Sequence, residues 1–566
     1  MIAHRSPISG IAAYQDKYVL TAGYDNQIIL WDAKSQEPIS RAMHDHLANH
    51  CTFSPDGSYA LTSSSDYTAR LWNVPDLRLI TIFAGHEDDV EMSVFHPNKP
   101  LIATASRDHR VRVYSLAGAL SHTFVGHTAD VISVEWVGAT DELISSSDDG
   151  TVKRWSLYSR AMVSDLNLDG VETDTIVVLS DGRVLAGNDN GEIVVIDQNE
   201  RCVIKAHDAG VKRLILDSCR GLLVSLSYDR TMRLWKIIDR IPEPMASSNL
   251  PAEVWPRSCA FQGDDYIVFS TFQSTYRRYD WRQSHWDNSV IAPTHGVNSV
   301  LPSNGRVWTV GDSGIIHVDK KVVARTGSLC NFLIKSGEFV LTGGQLGKIF
   351  DASTGREIYQ HHSPINCAAS FVRDAITHVV IGAYTGEGIV LRVDGNSVTY
   401  IKDLPLHQNA VKGIAFSDDL LFSVSADRSA SWWCFSTGKR IAMIKDAHGK
   451  IANGCVGLGG GYFASVSRDL KLRIWSPDQG VNIVESPHSH SIKCVSASYD
   501  GRFIATGSYD GRIAIYNRDG RGGWCFNRRV TASGISSISY DADVDVFLAS
   551  SYDGGIYRAS VNDPSA

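Results

Sequence analysis

The chain has 566 residues, 20% of them charged and 43% hydrophobic, and a formal net charge of −8. That length exceeds one ordinary core, and the composition is that of a globular chain rather than a disordered one. The mild acidity argues against a broad electrostatic footprint for nucleic acid or an anionic membrane surface. The opening Met-Ile-Ala-His-Arg-Ser-Pro has no apolar signal core, and no run of 18 apolar residues follows, so neither export nor membrane insertion is expected. The ten cysteines are scattered singly with no CxxC, which fits reduced thiols in a cytoplasmic protein and excludes zinc-ribbon or thioredoxin spacing.

A first strand is expected over His4–Tyr14. From there an Asp repeatedly precedes a Trp or Tyr by six positions: Asp25/Trp31, Asp66/Trp72, Asp108/Tyr114, Asp149/Trp155, Asp229/Trp235, Asp427/Trp433, Asp469/Trp475 and Asp510/Tyr516. Recurrence at about forty residues signals one supersecondary unit stacked many times. In one such unit, Val131–Trp136 alternates like a half-buried strand, and Gly138–Glu142 reads as a turn. Leu143–Ser147 is a second strand, Asp148-Asp149-Gly150 a hairpin turn, Thr151–Trp155 a third strand and Arg160–Leu166 a fourth. The layout recurs as four sets: His86, Ser106, Asp108 and Tyr114; His127, Ser147, Asp149 and Trp155; His207, Ser227, Asp229 and Trp235; and His448, Ser467, Asp469 and Trp475.

The Gly-His openings (Gly85-His86, Gly126-His127), the Ser-x-Asp turn and the closing aromatic resemble the WD-repeat β-propeller family. The resemblance implies propeller blades of four antiparallel strands, with His, Ser, Asp and the aromatic joined in one hydrogen-bonded line within each blade. Such a line would satisfy a buried indole N–H and a buried carboxylate together.

Weaker units fill the gaps. Leu185–Asp197 keeps the strand–turn–strand shape without the aromatic, and the unit near residue 270 has Gln273 in place of the Asp. Further units fall near Val310–Val318, Val340–Phe350 and Val379–Leu391, and in the last repeat Ala559 replaces the aromatic. The count is fourteen, so the expected fold is all-β: two tandem seven-bladed propellers over residues 1–290 and 291–566. An alternative boundary at 242–256, a segment with four prolines, would have the last repeat closing the first ring. One blade is expected to be three-stranded.

Residue types that suggest chemistry mostly have plainer readings here. His, Ser and Asp together evoke a hydrolase triad, but recurrence in many blades marks a structural network, and no catalytic residue is assigned. The pairs His44/His46 and His488/His490 and the adjacent His361-His362 lack further ligands of matching spacing, so no metal and no cofactor is expected. Asn188–Glu192 is read as an Asn-Gly hairpin, Asp541/Asp543/Asp545 as a solvated turn, and Gly457–Gly461 as a turn. Arg70, Arg112, Arg233 and Arg473, each two before the aromatic, are read as solvated surface. Arg518–Arg529 is the one basic, aromatic-bearing stretch; it is read as an outer strand and its turn, with Arg521, Arg528 and Arg529 as speculative contacts to RNA or phosphate.

The expected function is a non-enzymatic scaffold that docks other proteins on its propeller faces, as the family resemblance implies. An RNA- or phosphopeptide-binding propeller, and an enzyme or ligand binder using the central channel, stand as alternatives.

Overall fold

In the computed structural model the described residues are 2–198, 200–239, 241–395, 397–519 and 522–561. Among them every element is a β-strand. The strands form thirteen four-stranded sheets and one of three strands, each built from consecutive strands in an antiparallel meander. The chain divides into two compact units between Thr294 and His295, and each holds seven sheets. Each unit is a closed ring, so the chain is a tandem double propeller. We number the blades one to fourteen along the chain.

The burial pattern follows from this stacking. In blade one the second strand, Tyr18–Gly23, and the third, Gln27–Asp32, are buried nearly throughout, whereas the outer strand, Pro38–Met43, alternates between half-buried and exposed. A strand covered on both faces reads as a continuous apolar run, and the outer strand reads as an alternating one. The core lies between neighbouring sheets. Val94, Ala103 and Val113 of blade three pack with Val134, Leu143 and Trp155 of blade four. Each fully buried Val or Leu contributes about 1.5–3 kcal/mol relative to exposure.

Each ring closes laterally. In the first, the inner strand Ile8–Tyr14 lies against both Ala48–Phe53 and Val254–Gln262. Ile11 N donates to Ser258 Oγ at 3.1 Å, and Gln262 Nε2 to the Ala33 carbonyl at 3.1 Å. In the second, Val297–Ser303 lies against Cys330–Ser336 and against Ile535–Asp541 of the three-stranded last sheet.

The segment expected to be a glycine turn is partly a strand: Ala452–Gly459 is extended and only Gly460-Gly461 turns. The missing side chain at Gly457 has a packing role, since a Cβ there would stand 2.0 Å from the Phe416 carbonyl oxygen of the neighbouring blade.

The residue after the repeated Asp is left-handed in blade after blade. It is glycine at Gly150 (φ +73°) and Gly511 (φ +74°), but Tyr67 (φ 65°), His109 (φ 67°) and Leu470 (φ 65°) occupy the same conformation. A side chain there costs roughly 1–2 kcal/mol. Leu470→Gly is expected to raise stability by about 1 kcal/mol, read as a higher denaturation midpoint at unchanged m-value.

Candidate functional site

The repeated residues form locks within single blades. In blade four Trp155 Nε1 donates to Ser145 Oγ at 2.8 Å, His127 Nε2 lies 2.8 Å from the same hydroxyl, and His127 Nδ1 lies 2.9 Å from Asp149 Oδ2. The same line joins Trp235, Ser225, His207 and Asp229. It recurs at Trp72, Thr62, His44 and Asp66, and at Trp31, Thr21, His4 and Asp25. The hydroxyl is therefore not the one expected. Ser106, Ser147, Ser227 and Ser467 each accept the backbone N–H of their own Asp, at 3.2, 3.1, 3.0 and 3.0 Å. Two residues span about 6.6 Å of strand, so the serine at the strand end reaches the turn, and the one two residues earlier reaches the indole.

Two of the expected sets depart further. His86 Nε2 bonds Thr104 Oγ1 at 2.9 Å, Tyr114 donates its hydroxyl to the Ala84 carbonyl at 2.9 Å, and Asp108 pairs with Arg112 at 2.7 Å. Trp475 and His448 share Ser465 Oγ, each at 2.8 Å, while Asp469 pairs with Arg473 at 2.6 Å. Three of the arginines expected at the surface are thus part of the locks: Arg70, Arg112 and Arg473 are 7%, 3% and 5% exposed and pair with their turn Asp, whereas Arg233 is half-buried. A period of two puts the residue two before the aromatic on the aromatic's own face, which the surface assignment overlooked. Burial opposes ionisation of Asp149 and Asp229, yet hydrogen bonds from the histidine and from Thr151 or Thr231 outweigh it; Asp149 sits well below the usual carboxylate range and Asp229 at about 2. Burial and the adjacent arginine lower His86 and His448 to about 4.

A second regularity joins blade to blade. The second residue of the inner strand bonds the first carbonyl of the next inner strand: Asn298 to Cys330, Asn331 to Ile365, Asn366 to Val411, Asn453 to Ile492, and Ser536 back to Val297. The first ring starts the same way, with Ser9 to Ala48 and Asn49 to Val90. Beyond that the clasp stops. The equivalent positions in blades three to seven are Glu91, Ile132, Asp174, Lys212 and Trp255.

These substituted positions build a charged bore. Arg257 of blade seven reaches Glu91 of blade three at 3.2 Å, and Glu91 also holds Arg107 at 2.5 Å. Arg107 continues to Asp130 of blade four. Lys212 lies 2.6 Å from Asp174, pairs also with Asp189, and stands 4.9 Å over the Tyr228 ring. Arg257 stacks 5.4 Å over Trp255, which meets Tyr24 edge-on at 5.3 Å. Arg213 of blade six reaches His50 of blade two at 3.3 Å. Burial raises Asp174 to about 6 and Glu135 to about 7, against the pull of Lys212 and Arg213 respectively. Desolvation and the neighbouring carboxylates of Glu172, Asp130 and Asp174 hold the half-buried Asp148 well above the usual carboxylate range. Desolvated, like-charged groups of this kind concentrate at binding and reaction sites.

Sequence reasoning missed this set, which contains none of the repeated lock residues. A legible signal existed: an apolar residue followed by Asn or Ser at the inner-strand start, and its replacement by charge from Glu91 onward. Among the described residues the remaining candidates lie apart from this set. Arg528 and Arg529 are both exposed on the outer strand Gly523–Arg529, where adjacent residues point to opposite faces, and Arg521 lies outside the described residues. Asn188–Glu192 is a hairpin, with Gly191 N bonded to the Asn188 carbonyl at 3.1 Å. Among the described residues no group of three His, Cys, Asp or Glu is placed to hold a metal.

The family described as "WD domain, G-beta repeat" matches residues 1–32, 39–73, 77–115, 118–156, 198–236 and 482–517. A guanine nucleotide-binding protein subunit beta of Zea mays is 29% identical over 251 residues, covering 38% of this chain and 66% of its own length. The transcriptional corepressor LEUNIG_HOMOLOG of Arabidopsis thaliana is 24% identical over 273 residues (40% of this chain, 34% of its own). The transcription initiation factor TFIID subunit 5 of Caenorhabditis elegans is 26% identical over 200 residues (34% and 31%). The chain thus spans between about a third and two thirds of these relatives.

Removing the carboxylate in Asp149→Ala takes away the acceptor shared by His127 Nδ1 and the N–H and hydroxyl of Thr151, and is expected to cost about 1–3 kcal/mol in chemical denaturation. Loss of an activity at unchanged stability would contradict a structural role. Acid should act through the histidines. His86, His407 and His448 are lowered to about 4 from an unfolded value of 6.5, so below pH 6.5 the unfolded chain takes up protons that the folded chain refuses. The melting temperature is expected to fall as pH drops from 6.5 towards 4, and His448→Asn to make the slope shallower; a flat profile over that window would refute the assignment.

Proposed function

Because the chain belongs to the WD-repeat family, we propose that it is a non-enzymatic scaffold that docks protein partners on its propeller faces within a multiprotein complex in the cytoplasm. The observation that carries the reading is the change in the first ring from Asn and Ser clasps to Glu91, Asp174, Lys212 and Trp255 over blades three to seven. There the ring exchanges Asn and Ser clasps for charged and aromatic groups on rigid strands, and Lys212 to Asp174 bridges neighbouring sheets as an ion pair. Strand-held side chains make a more exact recognition surface than loops do. The mouth mixes both signs, with Arg107, His109 and Lys212 beside Asp130, Asp174 and Asp189, which suits steering and register with a protein of complementary charge. Relatives named as a G-protein subunit, a TFIID subunit and a corepressor support work inside assemblies.

Charge reversal at the mouth tests the reading. The double variant His109→Glu, Asp189→Lys is expected to lower recovery of stoichiometric protein partners from a native lysate at least tenfold, with the melting temperature within a few degrees of the parent. Recovery of the same partners at the same level would remove the mouth from the docking surface, and absence of any stoichiometric partner from the parent protein would count against the scaffold.

A further inference from the structure

Arg213 stands in the bore of the first ring on the inner strand Val211–Asp217. The other cations of the bore face carboxylate oxygens: Arg107 those of Glu91 and Asp130, Lys212 those of Asp174 and Asp189, Arg257 that of Glu91. Among the described residues Arg213 has no carboxylate oxygen within hydrogen-bonding range. Its guanidinium reaches only His50 Nε2 at 3.3 Å and Met92 Sδ at 4.0 Å, and its Nε–H is buried with no partner. Arg213 is half-buried, and a guanidinium carries five donors and stays protonated; its Nε–H has no partner, and the Glu135 carboxyl acts on it through space without a hydrogen bond, so the fork is short of acceptors. His50 adds to the deficit. Its Nε2 accepts from Arg213, so the proton rests on Nδ1, which is likewise buried without a partner. Burial and the two arginines keep that imidazole neutral.

We propose that the bore of the first ring binds a monoanionic carboxylate on Arg213, with Arg257 beside it. The planar guanidinium fork matches a carboxylate in two parallel hydrogen bonds. The surrounding charge selects against more highly charged ligands: Glu91 already serves Arg257 and Arg107, and Glu135 of blade four faces Arg213, so a dianionic phosphate would meet two carboxyl groups at once. Contacts from opposite sides, Arg213 to His50 and Arg257 to Glu91, limit the occupant to a small group, while the Arg257 side chain remains 29% exposed and reachable. The carboxylate comes either from a free small acid or from an acidic side chain that a partner inserts into the bore.

The full-length protein is titrated with sodium formate, with inorganic phosphate and with a tetrapeptide capped at both ends and bearing one Glu, all against sodium chloride at constant ionic strength. Saturable binding of formate is expected by calorimetry, with a rise in melting temperature, at least tenfold tighter than phosphate. Arg213→Gln is expected to weaken it at least tenfold, and Glu135→Gln, which removes a competing carboxyl, to tighten it about threefold. Binding of formate alone assigns the site to a free acid, and binding of the peptide as well assigns it to a partner's side chain. A response no greater than that to chloride, or equal binding by Arg213→Gln, overturns the proposal; should that variant fail to fold, unchanged or weaker binding by Glu135→Gln overturns it instead. Partner capture plays no part in these readouts, so their failure leaves the scaffold reading standing.

Discussion

A four-stranded sheet that is apolar on both faces cannot stand alone in water, and this constraint organises the whole molecule. Blades need a neighbour on each side, an open row would leave two apolar faces exposed, and closure into a ring removes both. Everything else serves that closure. The locks keep each sheet's loops and strands in one geometry so that its faces fit. The Asn and Ser clasps then tie adjacent inner strands where fourteen copies of a similar sheet must converge around two axes. Both devices work through buried hydrogen bonds, whose loss is costly because the abandoned partner has no water to turn to.

The fold was legible because the repeat announces itself. Asp and aromatic at fixed spacing located eight blades, and apolar runs around turn residues located the remainder, including those near Val340–Phe350 and Val379–Leu391 that the family match leaves uncovered. The wiring inside a blade was less legible. Ser145 and Ser147 share a strand face, and only the distance along the strand decides which one sits under the Trp155 indole. The arginines misled for a related reason: charge suggested solvent, whereas position two before the aromatic demanded burial against the turn Asp. The bore was the least legible part. Arg213 meets His50 and Arg257 meets Glu91 across sequence separations of 163 and 166 residues, and no local pattern brings such pairs together.

The two rings spend their inner strands differently. The second uses most clasp positions for sheet-to-sheet bonds, with Lys412 and Lys493 as the departures. In the first, five successive positions are released from that duty; the Arg257–Glu91 pair crosses the bore, while Lys212–Asp174 and Arg107–Asp130 join neighbouring blades through charge. Desolvated ion pairs return little net stability, so the exchange brings the first ring no evident gain in folding energy.

The lateral seam has a mechanical side. Each sheet is a closed meander of consecutive strands, and first and last blades meet by packing and by a few hydrogen bonds, such as Ser536 to Val297 in one ring and His4 N to the Ser274 carbonyl in the other. Among the described residues no strand is shared across that joint, so a ring behaves like a bracelet whose clasp resembles its links. Because every blade is complete in itself, the fold would survive being cut and rejoined at a different loop.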